Sequence, residues 1–398
     1  MPSRLTRYIL AEIFKIFVIA LVVLTVLLLL IVVARELLRK GLGPDAVLRI
    51  MPFMAPVALQ FALPATALFS VCCVYGRMAS DGEIATVKAS GISPMKLLQP
   101  AIIFAALLSP VSVALSDVAK SWGQPGLRRV VMMSIEDIAY RLLRSKHSYQ
   151  SDHGFSIHVR EVVGHRLIHP AVTIRKSSGG PVHKLTAAEG ELILDPETMS
   201  LIIKLVDSQL EFGSHVSGTF PGEHEWPIEL QKGGGNRDPS SMRPQDLPLR
   251  LIGRERLRQD SAMHETVGKL AAQTAFSILT ARPEELAGPQ GQAIEWELSS
   301  GQQRLILLHT EPWRRWAEGF TCLFFVLVGA PLAMIAKSSD YWSTFGMCFL
   351  PTILIYFPLF LLGLEQAKDG HVPPWGVWVG NFVLGGISVI LMARVRRY

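Results

Sequence analysis

Six apolar stretches, each long enough to cross a bilayer, constrain this chain more than any other feature. The hydrocarbon core of a membrane is about 30 Å thick, so a spanning helix needs roughly 20 mostly apolar residues. Ile9 to Val33, Met51 to Tyr75, Leu97 to Leu115, Trp316 to Ala336, Tyr341 to Leu364 and Trp375 to Ala393 all qualify. Of 398 residues, 49% are hydrophobic and 18% charged, with the apolar ones gathered in blocks, as in a membrane protein. The first stretch follows Arg4 and Arg7 but is too long for a signal peptide and lacks a small-residue cleavage motif, so it reads as a retained anchor.

Between the third and fourth stretches lies a polar block large enough to fold as its own domain. The expected plan is therefore residues 1–117 with spans one to three, 118–312 as an inserted domain, and 313–398 with spans four to six. Cys72, Cys73, Cys322 and Cys348 all fall inside spans, which leaves the inserted block without a disulfide framework or a cysteine metal site.

Charge orients the plan. An even number of spans puts both termini on one side, and both tails are basic: Arg4 and Arg7 in front, Arg394, Arg396 and Arg397 behind. By the positive-inside rule that side is the cytoplasm, which places the inserted domain outside and the loop between spans two and three inside. One segment runs against the rule. "ARELLRKGLG" carries Arg35, Arg39 and Lys40 at the outer end of the first span. Arg35 and Arg39 are four apart and share a helix face. These side chains either snorkel to lipid headgroups or grip a phosphorylated substrate.

From Phe155 the inserted block alternates, with Phe155, Ile157 and Val159 on one face and Ser156, His158 and Arg160 on the other, the period of a half-buried strand. "AVTIRK", "ELILDPETMSLIIKLVD" and "SQLEF" continue the pattern, and Asp195 to Thr198 supplies a turn. Several short strands in succession predict an antiparallel sandwich or open barrel. Gln231 to Pro248 is a Gly/Pro/Ser-rich loop, and "RERLRQDSAMHETVGKLAAQTAFSIL" after it reads as a helix leading toward the fourth span.

Several chemistries find no support. Eleven histidines contain no His-Glu-x-x-His, and Gly233 to Gly235 is not followed by Lys-Ser or Lys-Thr, so neither a zinc hydrolase motif nor a phosphate-cradling P-loop is present. Nothing in the spans pairs two acids or a nucleophile with a base, which argues against a membrane-anchored lipid enzyme. The span interiors offer little ionisable beyond Lys15, so ion-coupled transport is weakly supported. Energy for any transport would come from a partner, and no cofactor is called for.

The stretch "RMASDGEIATVKASGIS", Arg77 to Ser93, lies between spans two and three. Ser80, three residues before Glu83, has the spacing of a capping box. Gly91 fits the left-handed position past a helix end, and Pro94 stops continuation. A helix of about Asp81 to Ser90 is too short to persist in water unless it packs on something. Ile84, Val87 and Lys88 are expected to project from it toward a cytoplasmic motor, with Glu83 serving either as cap or as contact.

"GRMASDGEIATVKASGIS" resembles the coupling segment of the LptF/LptG (YjgP/YjgQ) permeases, membrane subunits of the lipopolysaccharide-export ABC transporter. The resemblance extends to "MPFMAPVALQFALPATALFSV", to "FVLVGAPLAM" with Pro331, to "VPPWGVWVGNFVL", and to the plan of three spans, a β-rich domain and three spans. It implies six transmembrane helices in a 3+3 arrangement with an inserted periplasmic jellyroll-like domain, set in the inner membrane. It also implies a heterodimer with an LptF/LptG-type partner permease, an LptB-type cytoplasmic ATPase dimer, periplasmic LptC and LptA-like bridge proteins, and lipopolysaccharide as substrate, with no nucleic acid. On this resemblance Asp81, Glu83, Ile84, Val87 and Lys88 are the ATPase-coupling residues, and Arg35, Arg39 and Lys40 meet lipid phosphates. An exporter of another envelope lipid or of lipoproteins is the alternative, though lipoprotein-release permeases have four spans.

Overall fold

The computed structural model describes residues 4–40, 44–133, 139–140, 143–144, 148–150, 155–174, 183–195, 200–212, 216–229, 239–240, 242–280, 288–336 and 341–397. They fall into two compact units: Met1–Leu29, Phe53–Gln124 and Arg243–Tyr398 form one, and Leu30–Pro52 and Pro125–Met242 the other. In chain order the helices are α1 (Arg4–Lys40), α2 (Pro44–Ser80), α3 (Glu83–Ala89), α4 (Pro94–Val118), α5 (Gln124–Met133), α6 (Leu249–Leu279), α7 (Pro289–Ala336), α8 (Tyr341–Lys368) and α9 (Val379–Arg397). Six of them, all but α3, α5 and α6, contain membrane-length apolar segments, as expected. In hydrocarbon a helix satisfies its own backbone groups, and Pro100, Pro110, Pro331, Pro351 and Pro358 lie inside these helices, as spanning helices tolerate.

The first unit is packed around Leu68, Tyr75, Leu97, Phe325, Tyr356 and their neighbours. Small residues set how closely the helices approach. A Cβ on Gly319 would lie 2.2 Å from Val113 Cγ2 and 2.8 Å from the Val113 backbone nitrogen, so α4 and α7 meet backbone to backbone there. The Tyr75 hydroxyl donates to Leu97 O at 2.6 Å, tying α2 to α4. By contrast α1 leaves Ile19, Val22, Val26 and Leu30 exposed. Only 6% of its apolar window is buried within the chain, against 61% for α2 and α7, so most of α1 is left for lipid or another protein.

The fourth span is the C-terminal part of a 48-residue helix rather than a helix beginning at Trp316. At 1.5 Å per residue, α7 is about 72 Å long, more than twice the hydrocarbon thickness. Its N-terminal half pairs antiparallel with the 31-residue α6, through Arg304 to Glu255 (3.3 Å), Gln259 to Gly301 O (3.5 Å) and Thr266 to Glu297 (3.4 Å). Ile252, Glu255, Thr266 and Ser277 are the buried positions of α6, a spacing that keeps one face on α7. The helix expected after the Gly/Pro-rich loop is therefore present, but it belongs to the helical unit rather than to the sheet. Of that loop only residues 239–240 and 242–248 are described.

Exposed tryptophans mark one level of this unit. Trp122, Trp313, Trp316 and Trp375, 46–52% exposed, lie at the ends of spans three, four and six away from α3. Trp378 donates its indole N–H to Trp313 O at 3.2 Å within the same cluster. Such a belt sits where hydrocarbon gives way to water.

The second unit is an antiparallel β half-barrel of nine strands. They are β1 (Ser148–Gln150), β2 (Phe155–His158), β3 (Glu161–Val163), β4 (Arg166–Ile168), β5 (Ala171–Ile174), β6 (His183–Thr186), β7 (Glu189–Asp195), β8 (Ser200–Phe212) and β9 (Val216–Glu229). Their order is β1-β2-β5-β6-β8-β7-β4-β3, with β9 on the other side of β8. The predicted alternation holds: Ile157 and Val159 are buried while His158 and Arg160 are exposed. "SLIIKLVD" and "SQLEF" form one strand rather than two. Asp207, at φ 52°, marks an irregularity between Val206 and Ser208, and its carboxylate accepts from Gly222 N at 3.0 Å. The first half of β8 pairs with β7 and the second with β6, so one strand joins both parts of the sheet. Tyr140 packs into this core with Ile157, Leu167, Leu192 and Ile203, its hydroxyl donating to His165 O (2.6 Å) and accepting from Leu192 N (2.8 Å).

Candidate functional site

The segment from Arg77 to Ser93 is built differently from its sequence signal. α2 runs through Ser80, whose hydroxyl donates to Arg77 O at 2.9 Å, so Ser80 closes one helix instead of opening the next. The N-cap of α3 is Gly82, at φ 73°, with no side-chain cap. The capping box between Ser80 and Glu83 does not form. The helix is Glu83–Ala89, shorter than the predicted Asp81 to Ser90. Its C-terminus matches the prediction: Gly91 sits at φ 82°, Gly91 N donates to Lys88 O (3.0 Å) and Ile92 N to Val87 O (3.3 Å), the paired bonds of a Schellman ending.

Orientation of the side chains also differs. Ile84 is buried and Val87 packs against the helical core, so neither projects. Ile84 lines a cavity of about 390 Å³ with Ala79, Ala85, Lys88, Met334 and Val395. Asp81, Ala85, Thr86 and Ala89 are exposed. Glu83 and Lys88 are half-exposed, and their side chains make no hydrogen bond or ion pair among the described residues. Beside this segment Arg77 Nη1 meets Glu12 Oε1 at 3.1 Å, joining the end of α2 to α1. Glu12 lies within the first apolar stretch, where no local sequence pattern marks its partner on α2.

Arg35, Arg39 and Lys40 lie along the last turns of α1, in the second unit. Arg35 is exposed; the side chains of Arg39 and Lys40 lie outside the described residues.

A polar clasp lies where the span patterns predict little ionisable. Glu318, in the fourth span, accepts from Lys120 Nζ (2.6 Å), Gln60 Nε2 (3.0 Å) and Ser116 Oγ (3.2 Å) on one oxygen and from Arg314 Nε (2.9 Å) on the other. Arg314 also reaches Glu311 at 3.1 Å. Arg315, with no exposed side-chain surface, pairs with Asp117 and donates to Gln245 O (2.9 Å) and Leu247 O (2.7 Å). Asp117 in turn accepts from Leu249 N at 2.9 Å, which caps the start of α6. The missed signal was spacing: Glu311, Arg314, Arg315 and Glu318 at i, i+3, i+4 and i+7 share one face of α7, but a span cut at Trp316 divides them.

Below the clasp, Leu24, Phe61, Phe325, Phe349 and Phe357 wall a cavity of about 360 Å³ whose polar rim is Gln60, Ser116, Glu318 and Thr321. Because every oxygen of Glu318 is already committed to cations or donors, the rim is electrically neutralised. The cavity suits hydrocarbon, and its acid is held rather than free to shuttle protons. Among the described residues no group of His, Cys, Asp and Glu has the arrangement of a metal site.

A comparison with curated protein sequences yields no match. The family model for the lipopolysaccharide export system permease LptF/LptG matches residues 7–394, through the spans, the short helix between the second and third, and the inserted sheet alike. With six membrane-length helices, a β half-barrel inserted between the third and fourth, and a short helix joining the second and third, this chain belongs to the LptF/LptG permease family.

Proposed function

We propose that this chain is one permease half of an ABC transporter that extracts lipopolysaccharide from the inner membrane and passes it, by way of its periplasmic β domain, toward the outer membrane. The family match over residues 7–394 carries this reading. In it the chain pairs with a second LptF/LptG-type permease, ATP is hydrolysed on a separate LptB-type dimer in the cytoplasm, and LptC and LptA-like proteins receive the lipid.

The local geometry supports a route for the work. Asp81, Glu83 and Lys88 offer charge to the ATPase, and Glu83 has no competing bond within the described chain. Ile84 and Val87 seat α3 in the helical core, so a push on the helix is delivered to packed side chains rather than lost in a loose loop. The Arg77–Glu12 pair hands part of that displacement to α1. Leu24 and Leu28 of α1 line the apolar cavity, so its volume responds. Arg35, Arg39 and Lys40 are proposed to hold lipid phosphates through charge-assisted bonds.

The test is reconstitution. The chain should co-purify with an ATPase and a second permease, and the complex should release lipopolysaccharide from proteoliposomes in proportion to ATP hydrolysed. A cysteine placed at Ser240, which is exposed, should react with an impermeant maleimide on intact spheroplasts. Labelling only after permeabilisation, or ATP hydrolysis without lipid release, would overturn the reading.

A further inference from the structure

The outward face of α6 carries three arginines that none of the interactions above employs. Arg250, Arg254 and Arg258 are exposed and make no ion pair or hydrogen bond among the described residues. Spaced four apart, each is turned only about 40° from the last, so they form one exposed file that starts opposite Ile252 and Glu255 at Arg250 and comes round toward the edge of that buried face at Arg258. The acids nearby are engaged or turned elsewhere. Glu255 faces α7 and pairs with Arg304 at 3.3 Å, Glu311 and Glu318 are held by Arg314, and Asp260 lies with Arg256 near His309 on another side of the helix.

The clasp fixes the depth of this file. Leu249 N is bonded to Asp117, and Leu247 O to Arg315, which sits between Trp313 and Trp316 of the interfacial belt. Arg250 therefore starts at the rim of the hydrocarbon. At 1.5 Å per residue, Arg254 stands about 6 Å and Arg258 about 12 Å further along the helix. A headgroup layer is roughly 5–7 Å deep on each side. Arginines that merely anchor a helix by snorkelling stay at one level; this file runs through the headgroup layer and past it. Guanidinium forks bind phosphate bidentately, and three of them leave room for successive contacts.

We propose that Arg250, Arg254 and Arg258 form a binding ladder for phosphate groups of lipid headgroups at this rim. Under the export reading, on which this role rests, the ladder takes hold of the phosphorylated glycolipid as it leaves the bilayer. The same chemistry would hold the phosphodiester of a glycerophospholipid, and the experiment separates the two sources.

Leu257, 66% exposed between Arg254 and Arg258, accepts a photo-crosslinking benzoylphenylalanine without touching the ladder itself. The full complex is placed in three nanodiscs of phosphatidylcholine: one doped with bisphosphorylated lipid A, one with the same lipid dephosphorylated, one with phosphatidylglycerol. Crosslinking to bisphosphorylated lipid A should exceed that to the dephosphorylated form at least fivefold. Arg250→Gln/Arg254→Gln/Arg258→Gln should remove that preference while the melting transition stays put, and the triple Lys variant should retain about half of it. Capture of phosphatidylglycerol alone, lost in the Gln variant, upholds the ladder and removes the glycolipid role. Equal crosslinking with and without phosphate, or an unchanged preference in the Gln variant, would overturn the proposal.

Discussion

The two ends of the helical unit differ in how fully their charges are used. At the tryptophan end, Glu318 accepts four hydrogen bonds and Arg315 meets two carboxylates, Asp117 and Glu311, and two carbonyls. At the end that carries α3, the side-chain charges of Glu83 and Lys88 make no hydrogen bond or ion pair among the described residues. Buried charges persist only when paired, because removing an ion from water costs several kcal/mol. Charges at an exposed helix face no such demand and can wait for a partner. The first end is closed on itself and holds helices in register; the second is open to whatever binds it.

Four substitutions strain or sharpen that contrast. Arg315→Ala should do most harm, about 3–5 kcal/mol, because it leaves Asp117 and two carbonyls without their cation. The monodisperse yield after detergent extraction and the melting temperature report it, and a variant that melts like wild type would remove the clasp from the account. Gly319→Val comes next, at about 1–3 kcal/mol, since a side chain there meets the backbone of Val113 and must part α4 from α7.

Glu83→Gln is expected to leave stability within about 0.5 kcal/mol yet to weaken ATPase retention several-fold, because hydrogen bonds to a charged group are roughly twice as strong as neutral ones. Retention on immobilised permease measures this, and wild-type behaviour would show that the charge has no part in coupling. The smallest effect is forecast for Ser80→Ala. A capping box would cost about 1 kcal/mol on losing its serine, whereas a hydroxyl bonded back to Arg77 O should cost less than about 0.5 kcal/mol. Equilibrium unfolding of the two proteins side by side separates the forecasts.

What the sequence disclosed follows the same divide. Apolar blocks announce spans because hydrocarbon admits little else, and Gly91 and Pro94 announce the end of one helix and the start of another because few residues suit those backbone positions. The capping box misled because Ser-x-x-Glu spacing is local, while whether Ser80 ends α2 or begins α3 depends on how far α2 runs. The clasp was hidden for another reason: Asp117 and Lys120 stand nearly 200 residues from Arg315 and Glu318, and no single-helix pattern joins them. The 48-residue reach of α7 escaped notice because its N-terminal half is polar and only gains a buried face by pairing with α6.

Gly82 and Gly91 bracket α3, both left-handed and both with open space where a side chain would go. The two joints tolerate different kinds of change. Asn or Asp at either position pays only the backbone preference, on the order of 1 kcal/mol, since nothing would be struck. Length is a different matter. One residue inserted between the two glycines would rotate everything beyond it by about 100° and swing the Schellman turn and the start of α4 out of line with Ile84 in its seat. A side chain at either joint meets open space, whereas the spacing from 82 to 91 sets where α4 begins relative to the seat of Ile84.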